Sequence, residues 1–111
     1  MNIEQWVGAW ISAANCFDVE TYLGFFTGDA LLDDPSVCRK FVGLEGIREY
    51  FNAYFIGYNT FTELQKLRLY DESHLYLEVL FTGDFPEGKI GGSFDIQMKH
   101  QKIYCMKADL I

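Results

Sequence analysis

The repeat of apolar residues along this chain changes once, from steps of three and four to steps of two, and the change falls at Gly57-Tyr58-Asn59. Before that point, Ile3, Trp6, Val7, Trp10, Ile11 and Ala14 mark one helical face, and Leu44, Ile47, Phe51, Tyr54 and Phe55 mark another. After it, Leu75, Leu77, Val79 and Phe81 alternate with Tyr76, Glu78, Leu80 and Thr82, as the two faces of a strand do. Helices gathered in the first half and strands in the second predict an α+β domain.

Local signals set the boundaries. Asn2 is placed to cap the first helix, with Gln5 three residues on as in a capping box. Asp18 is placed to cap a short second helix running through Val19, Tyr22, Leu23 and Phe26 to a stop at Thr27-Gly28. The third helix is expected from Leu44 to Ile56. Ala30-Leu31-Leu32 reads as a short strand, and four more are expected at about Thr60 to Tyr70, His74 to Thr82, Gly91 to Lys99 and Lys102 to Ile111. In the strands beginning at His74 and Lys102 both phases carry large apolar residues, so the sheet needs two coverings. The helices supply one, and a second copy of the chain, in a homodimer, is expected to supply the other.

At 111 residues the chain predicts one domain spanning 1–111. A net charge of −7 without a clustered basic patch argues against nucleic-acid binding. No apolar run approaches the roughly 18 residues of a membrane span, and the N-terminus lacks the layout of a signal peptide, so a cytoplasmic protein without membrane contact is expected. Cys16, Cys38 and Cys105 have no metal-ligand spacing, and neither do His74 and His100, so neither a metal site nor a disulfide framework is expected. His74 and His100 lie at turns and read as surface residues, and Arg48, beside Glu45 and Glu49, reads as part of a helix-surface ion pair.

The candidate chemistry centres on Asp33-Asp34-Pro35. Proline ends the strand and pushes Asp34 into an extended or turn conformation at its mouth. A carboxylate there, beneath an aromatic-rich helix, would be partly desolvated and usable as a base near neutral pH. The plainer alternative is that Asp33 and Asp34 serve the turn, accepting backbone hydrogen bonds.

Several stretches resemble one known superfamily. Trp6 and Trp10 on the first helix, Phe25-Phe26-Thr27-Gly28-Asp29-Ala30 leading to Asp34-Pro35, and Gly43-Leu44-Glu45-Gly46-Ile47-Arg48-Glu49-Tyr50-Phe51 are similar to SnoaL-like polyketide cyclases and ketosteroid isomerases. Glu78-Val79-Leu80-Phe81-Thr82-Gly83 and Phe94-Asp95-Ile96-Gln97-Met98 resemble strands of the same nuclear transport factor 2 (NTF2)-like superfamily. The resemblance implies a cone-shaped α+β fold with three N-terminal helices packed on a curved, mostly antiparallel sheet.

It also implies Asp34 as the base that shuttles a proton between carbons next to a carbonyl, and Asp95 as a protonated acid donating to the enolate oxygen; ketosteroid isomerase is the general example of such a split acid pair. The family's oxyanion tyrosine would fall at Trp10, whose indole N–H is a weaker donor. Tyr22, Tyr50 or Tyr54 are the candidates to line the pocket in its place. Asp95 shares its strand phase with Ser93, Gln97 and Lys99, which reads equally as a solvated position. An epoxide-hydrolase constellation would need an arginine between two aspartates, and Arg39, Arg48 and Arg68 do not assemble one from sequence. The expected function is cofactor-free proton transfer on a small apolar molecule, with a non-catalytic ligand-binding or protein-interaction module as the alternative.

Overall fold

The computed structural model describes residues 1–111. Three helices, α1 (Ile3–Asn15), α2 (Val19–Leu23) and α3 (Gly43–Phe51), pack on a six-stranded sheet of β1 (Phe26–Asp34), β2 (Arg39–Val42), β3 (Phe61–Asp71), β4 (His74–Thr82), β5 (Lys89–Lys99) and β6 (Lys102–Leu110). The strand order is β2-β1-β6-β5-β4-β3, antiparallel throughout except where β1 runs parallel to β6.

The helix starts form as their caps dictate. Asn2 accepts the Gln5 N–H at 3.1 Å, and Asp18 accepts the Thr21 N–H at 3.3 Å. The second helix stops at Leu23, earlier than the sequence signals place it, because Phe26 is taken into the sheet opposite Ile103. The first strand is correspondingly longer than Ala30-Leu31-Leu32. Strand β2 carries a single buried residue, Phe41, too little alternation to be read from sequence, and it forms by pairing Leu32 with Phe41 and Asp34 with Arg39.

Gly43 enters α3 at φ +72°, a conformation that favours glycine, and a Cβ on Gly46 would lie 3.1 Å from the Phe41 backbone, so this helix rests directly on β2. Beyond Phe51 the helix widens into a π turn over Asn52–Ile56. Thr60 closes that turn by donating its hydroxyl to the Tyr54 carbonyl at 2.8 Å.

The core lies between helices and sheet. Tyr22 stacks on Phe51 with ring centres 4.2 Å apart, and Trp10 meets Phe94 edge-on at 5.3 Å. The outer face of the sheet mixes the large apolar residues expected, Tyr70, Tyr76, Leu80 and Tyr104, with charged ones. Arg68, Tyr76, Asp95 and Lys107 follow one another across β3, β4, β5 and β6, and Tyr76 donates to Glu78 at 2.9 Å. On α3, Arg48 pairs with Glu20 at 2.8 Å and Glu45 at 3.7 Å, while Glu49 turns to Arg39 instead. No helix is long and apolar enough to cross a membrane.

Candidate functional site

A cleft of about 280 Å³ opens between the mouth of β1, the far end of α3 with its π turn, and the β4–β5 connection. Its walls are mostly apolar or aromatic, with Phe55, Phe81, Phe85, Ile90, Phe94 and Leu110 among them. No lysine, arginine or histidine lines it, whereas Asp34, Glu87 and Asp109 do.

Asp34 is only 6% exposed. It is the last residue of β1, and it caps the single helical turn Pro35–Val37. One carboxylate oxygen, Oδ1, accepts both the Ser36 N–H at 3.0 Å and the Ser36 hydroxyl at 2.5 Å. The other oxygen, Oδ2, takes no hydrogen bond from the protein and is not among the fully enclosed polar atoms without a partner. Oδ1 therefore serves the turn, as the plainer alternative expects, while Oδ2 is left without a partner from the turn.

Tyr50 and Tyr54 reach the same cleft, their rings 5.5 Å apart. The single-turn offset between them places both on the side of α3 that faces β1, and the π turn carries Phe55 in with them. Burial holds the Tyr50 phenol well above its ordinary pKa, and the neighbouring Tyr22 and the Asp34 carboxylate add to the rise. The Tyr50 hydroxyl lies close enough to Asp34 to feel its charge and a weak hydrogen-bonding pull, though the pair does not reach the geometry of a full hydrogen bond. It stays a neutral donor across the physiological range.

The remaining candidates lie elsewhere. Asp95 points away from the cleft on the outer face of β5, and its carboxylate pairs with His74 Nε2 at 2.6 Å, so it is not a partner of Asp34; the strand phase it shares with Ser93 and Gln97 decides its direction. Trp10 and Tyr22 are buried in the core and line a separate, much smaller cavity. Arg48 and Arg68 are remote from Asp34, on the α2–α3 surface and the outer face of the sheet, and Arg39 is held by Glu49 at 2.8 Å. No group of three or more His, Cys, Asp or Glu side chains is placed to hold a metal ion. The walls from Phe81, Phe85 and Ile90 escaped the sequence reading, since only the β4–β5 hairpin brings them over Asp34; the Gly83-Asp84 and Pro86-Glu87-Gly88 turn was their sole local signal.

No family model and no curated relative matches the chain by sequence. Solved structures do match its fold. The epoxide hydrolase/cyclase-like enzyme SalBIII, of pyran ring formation in the polyether salinomycin, superposes with a TM-score of 0.84 at 21% identity, covering 97% of this chain and 89% of that one. A protein with a ketosteroid isomerase-like fold from Catenulispora acidiphila, complexed with trimethylamine, gives 0.80 at 16% identity over 93% and 82%. RV0760c from Mycobacterium tuberculosis, complexed with estradiol-17β-hemisuccinate, gives 0.78 at 12% identity over 93% and 88%. The chain has the NTF2-like α+β fold, as the helix and strand order imply. Its structural neighbours are polyketide cyclase-like, ketosteroid isomerase-like and NTF2-like proteins.

Proposed function

We propose that this protein is a cofactor-free proton-transfer enzyme acting on a small, largely apolar carbonyl compound. The observation that carries it is the asymmetry of Asp34, a nearly buried carboxylate with Oδ1 fixed by Ser36 and Oδ2 free in an apolar cleft. Such an oxygen has a fixed direction and little water to compete with a carbon acid. Asp34 Oδ2 takes a proton from the carbon beside the carbonyl, and the C–H electron pair moves into the enolate. The Tyr50 hydroxyl, in place of Trp10 or Asp95, donates a hydrogen bond to the enolate oxygen. The carboxylic acid so formed returns the proton to the same or a conjugated carbon. Tyr54 lines the substrate's path. The solved neighbours bound to an estradiol ester and to trimethylamine support a cleft of this fold taking small molecules.

A second reading is a binding module without catalysis. It is favoured by one feature: the Asp34 carboxylate has no cation within ion-pair distance, and the aromatic walls suit a protonated amine. A thermal-shift screen separates the two, since a bound ligand stabilises by mass action. Enolate-mimicking phenols raising the melting temperature of the wild type, with a changed preference in Asp34→Asn, support catalysis; stabilisation by alkylammonium ions alone supports the module.

We further infer that two copies pair through the outer face of the sheet, where Tyr70, Tyr76, Leu80 and Tyr104 interleave with charged residues in the mixture ordinary protein interfaces show. A monomer at every concentration in sedimentation contradicts this.

A further inference from the structure

Three side-chain polar atoms in the core are fully enclosed and lack a hydrogen-bond partner: Trp10 Nε1, Tyr22 Oη and Thr62 Oγ1. They come from the neighbouring helices α1 and α2 and, far along the chain, from β3. All three residues line one small cavity, together with Ile11, Ala14, Phe55 and Phe94, with about 10 Å³ of room for the centre of a water molecule. That room matches the ~10–15 Å³ a single water needs. Leaving a buried donor or hydroxyl without a partner is costly, and three such groups around one small space would be a large uncompensated loss.

We propose that this cavity is a built internal hydration site holding one water molecule, bonded to Trp10, Tyr22 and Thr62. The indole N–H donates to the water oxygen. Each of the two hydroxyls takes one of the water's protons or donates to its second lone pair, so each of the three groups gains a partner and the water makes three bonds, the usual number for a buried water. The position is prepared by neighbours. Asn15, at the end of α1, clamps the Thr62 backbone from both sides, accepting its N–H at 2.7 Å and donating to its carbonyl at 2.9 Å. Trp10 and Tyr22 stack with ring centres 6.1 Å apart, and the indole N–H lies close enough to the phenol oxygen to work weakly against the effect of burial on it, though without the geometry of a full hydrogen bond.

The site explains why aromatic residues with polar tips stand in an otherwise apolar core, and it lies one layer behind the cleft, since Phe55 and Phe94 wall both spaces. It is separate from the chemistry proposed for Asp34 and stands whether or not that reading holds.

The test is a crystal structure of the wild-type protein at about 1.5 Å or better, together with the Thr62→Val and Tyr22→Phe proteins. One ordered water within hydrogen-bond distance of the three atoms is expected, absent or displaced in Thr62→Val. Thr62→Val keeps the shape and removes one partner, so a melting temperature lower by roughly 4–8 °C is expected. A dry cavity in the wild type overturns the proposal. A Thr62→Val protein as stable as the wild type or more so also overturns it, because deleting a truly unpartnered hydroxyl costs nothing. If Tyr22→Phe fails to fold, the wild-type density alone decides.

Discussion

Asp34 and Arg39 stand opposite each other across β1 and β2, yet no ion pair joins them. The Arg39 guanidinium turns to Glu49 at 2.8 Å and lies 4.6 Å from the centre of the Phe41 ring. Glu49 thus keeps a cation away from the candidate base. An arginine bonded to Asp34 would stabilise its charged form and make it a poorer proton acceptor.

Glu49→Gln should release Arg39 toward Asp34. Proton transfer then slows by up to roughly tenfold, most at low salt, where the attraction is least screened. Rates that equal the wild type at every ionic strength would show that Glu49 plays no such part.

Gly92 lies on the inner face of β5 with the Phe81 ring directly over it, closer than any Cβ could tolerate. Gly92→Ala should therefore push Phe81 into the cleft it lines. Larger ligands should lose affinity while the smallest keep theirs, a pattern that titration of a size-graded ketone series would read. Uniform loss across the series would instead mean that the sheet itself is disturbed.

Burial raises the phenols of Tyr22 and Tyr50 above their ordinary value of 10.0. The unfolded chain loses those protons first, so the stability linked to each is complete below pH about 10 and is lost as the pH climbs toward the folded-state values. Each should contribute a slope of about −1.4 kcal/mol per pH unit in that window. Denaturation between pH 9 and 12 should show the fall, and Tyr22→Phe or Tyr50→Phe should each flatten it. An unchanged slope in both variants contradicts the assignment.

Much of this fold is legible in the sequence because periodicity is a direct record of which face is buried. The switch at Gly57-Tyr58-Asn59 separates helices from the four-strand meander, and the ends of β4 match their turn residues. Strand β2 is invisible for a physical reason: four residues with one apolar side chain carry no alternation, and pairing with β1 alone defines them. The site divides in the same way. Asp34 announces itself through Pro35 and Tyr54 through helical spacing, whereas Tyr50, off the apolar face read for that helix, enters only as a stand-in for the tyrosine that Trp10 replaces. Asp95 shows where family likeness and strand phase disagree, and the phase wins because alternation fixes direction. Trp10 and Tyr22, expected at the ligand, belong to the core, since helix periodicity tells which face is buried but not which cavity it meets.

The central claim is that Asp34 Oδ2 removes a proton from carbon. The most direct measurement is deuterium incorporation at the α-carbon of a ketone that the thermal-shift screen shows to bind, followed by NMR in D2O with the wild type and with Asp34→Asn. Asparagine can still accept from Ser36, so the variant should fold with a similar melting temperature while exchange falls about 10²–10⁴-fold, to near the buffer rate. Exchange in the folded Asp34→Asn protein as fast as in the wild type, or no exchange above buffer in either, would contradict the account.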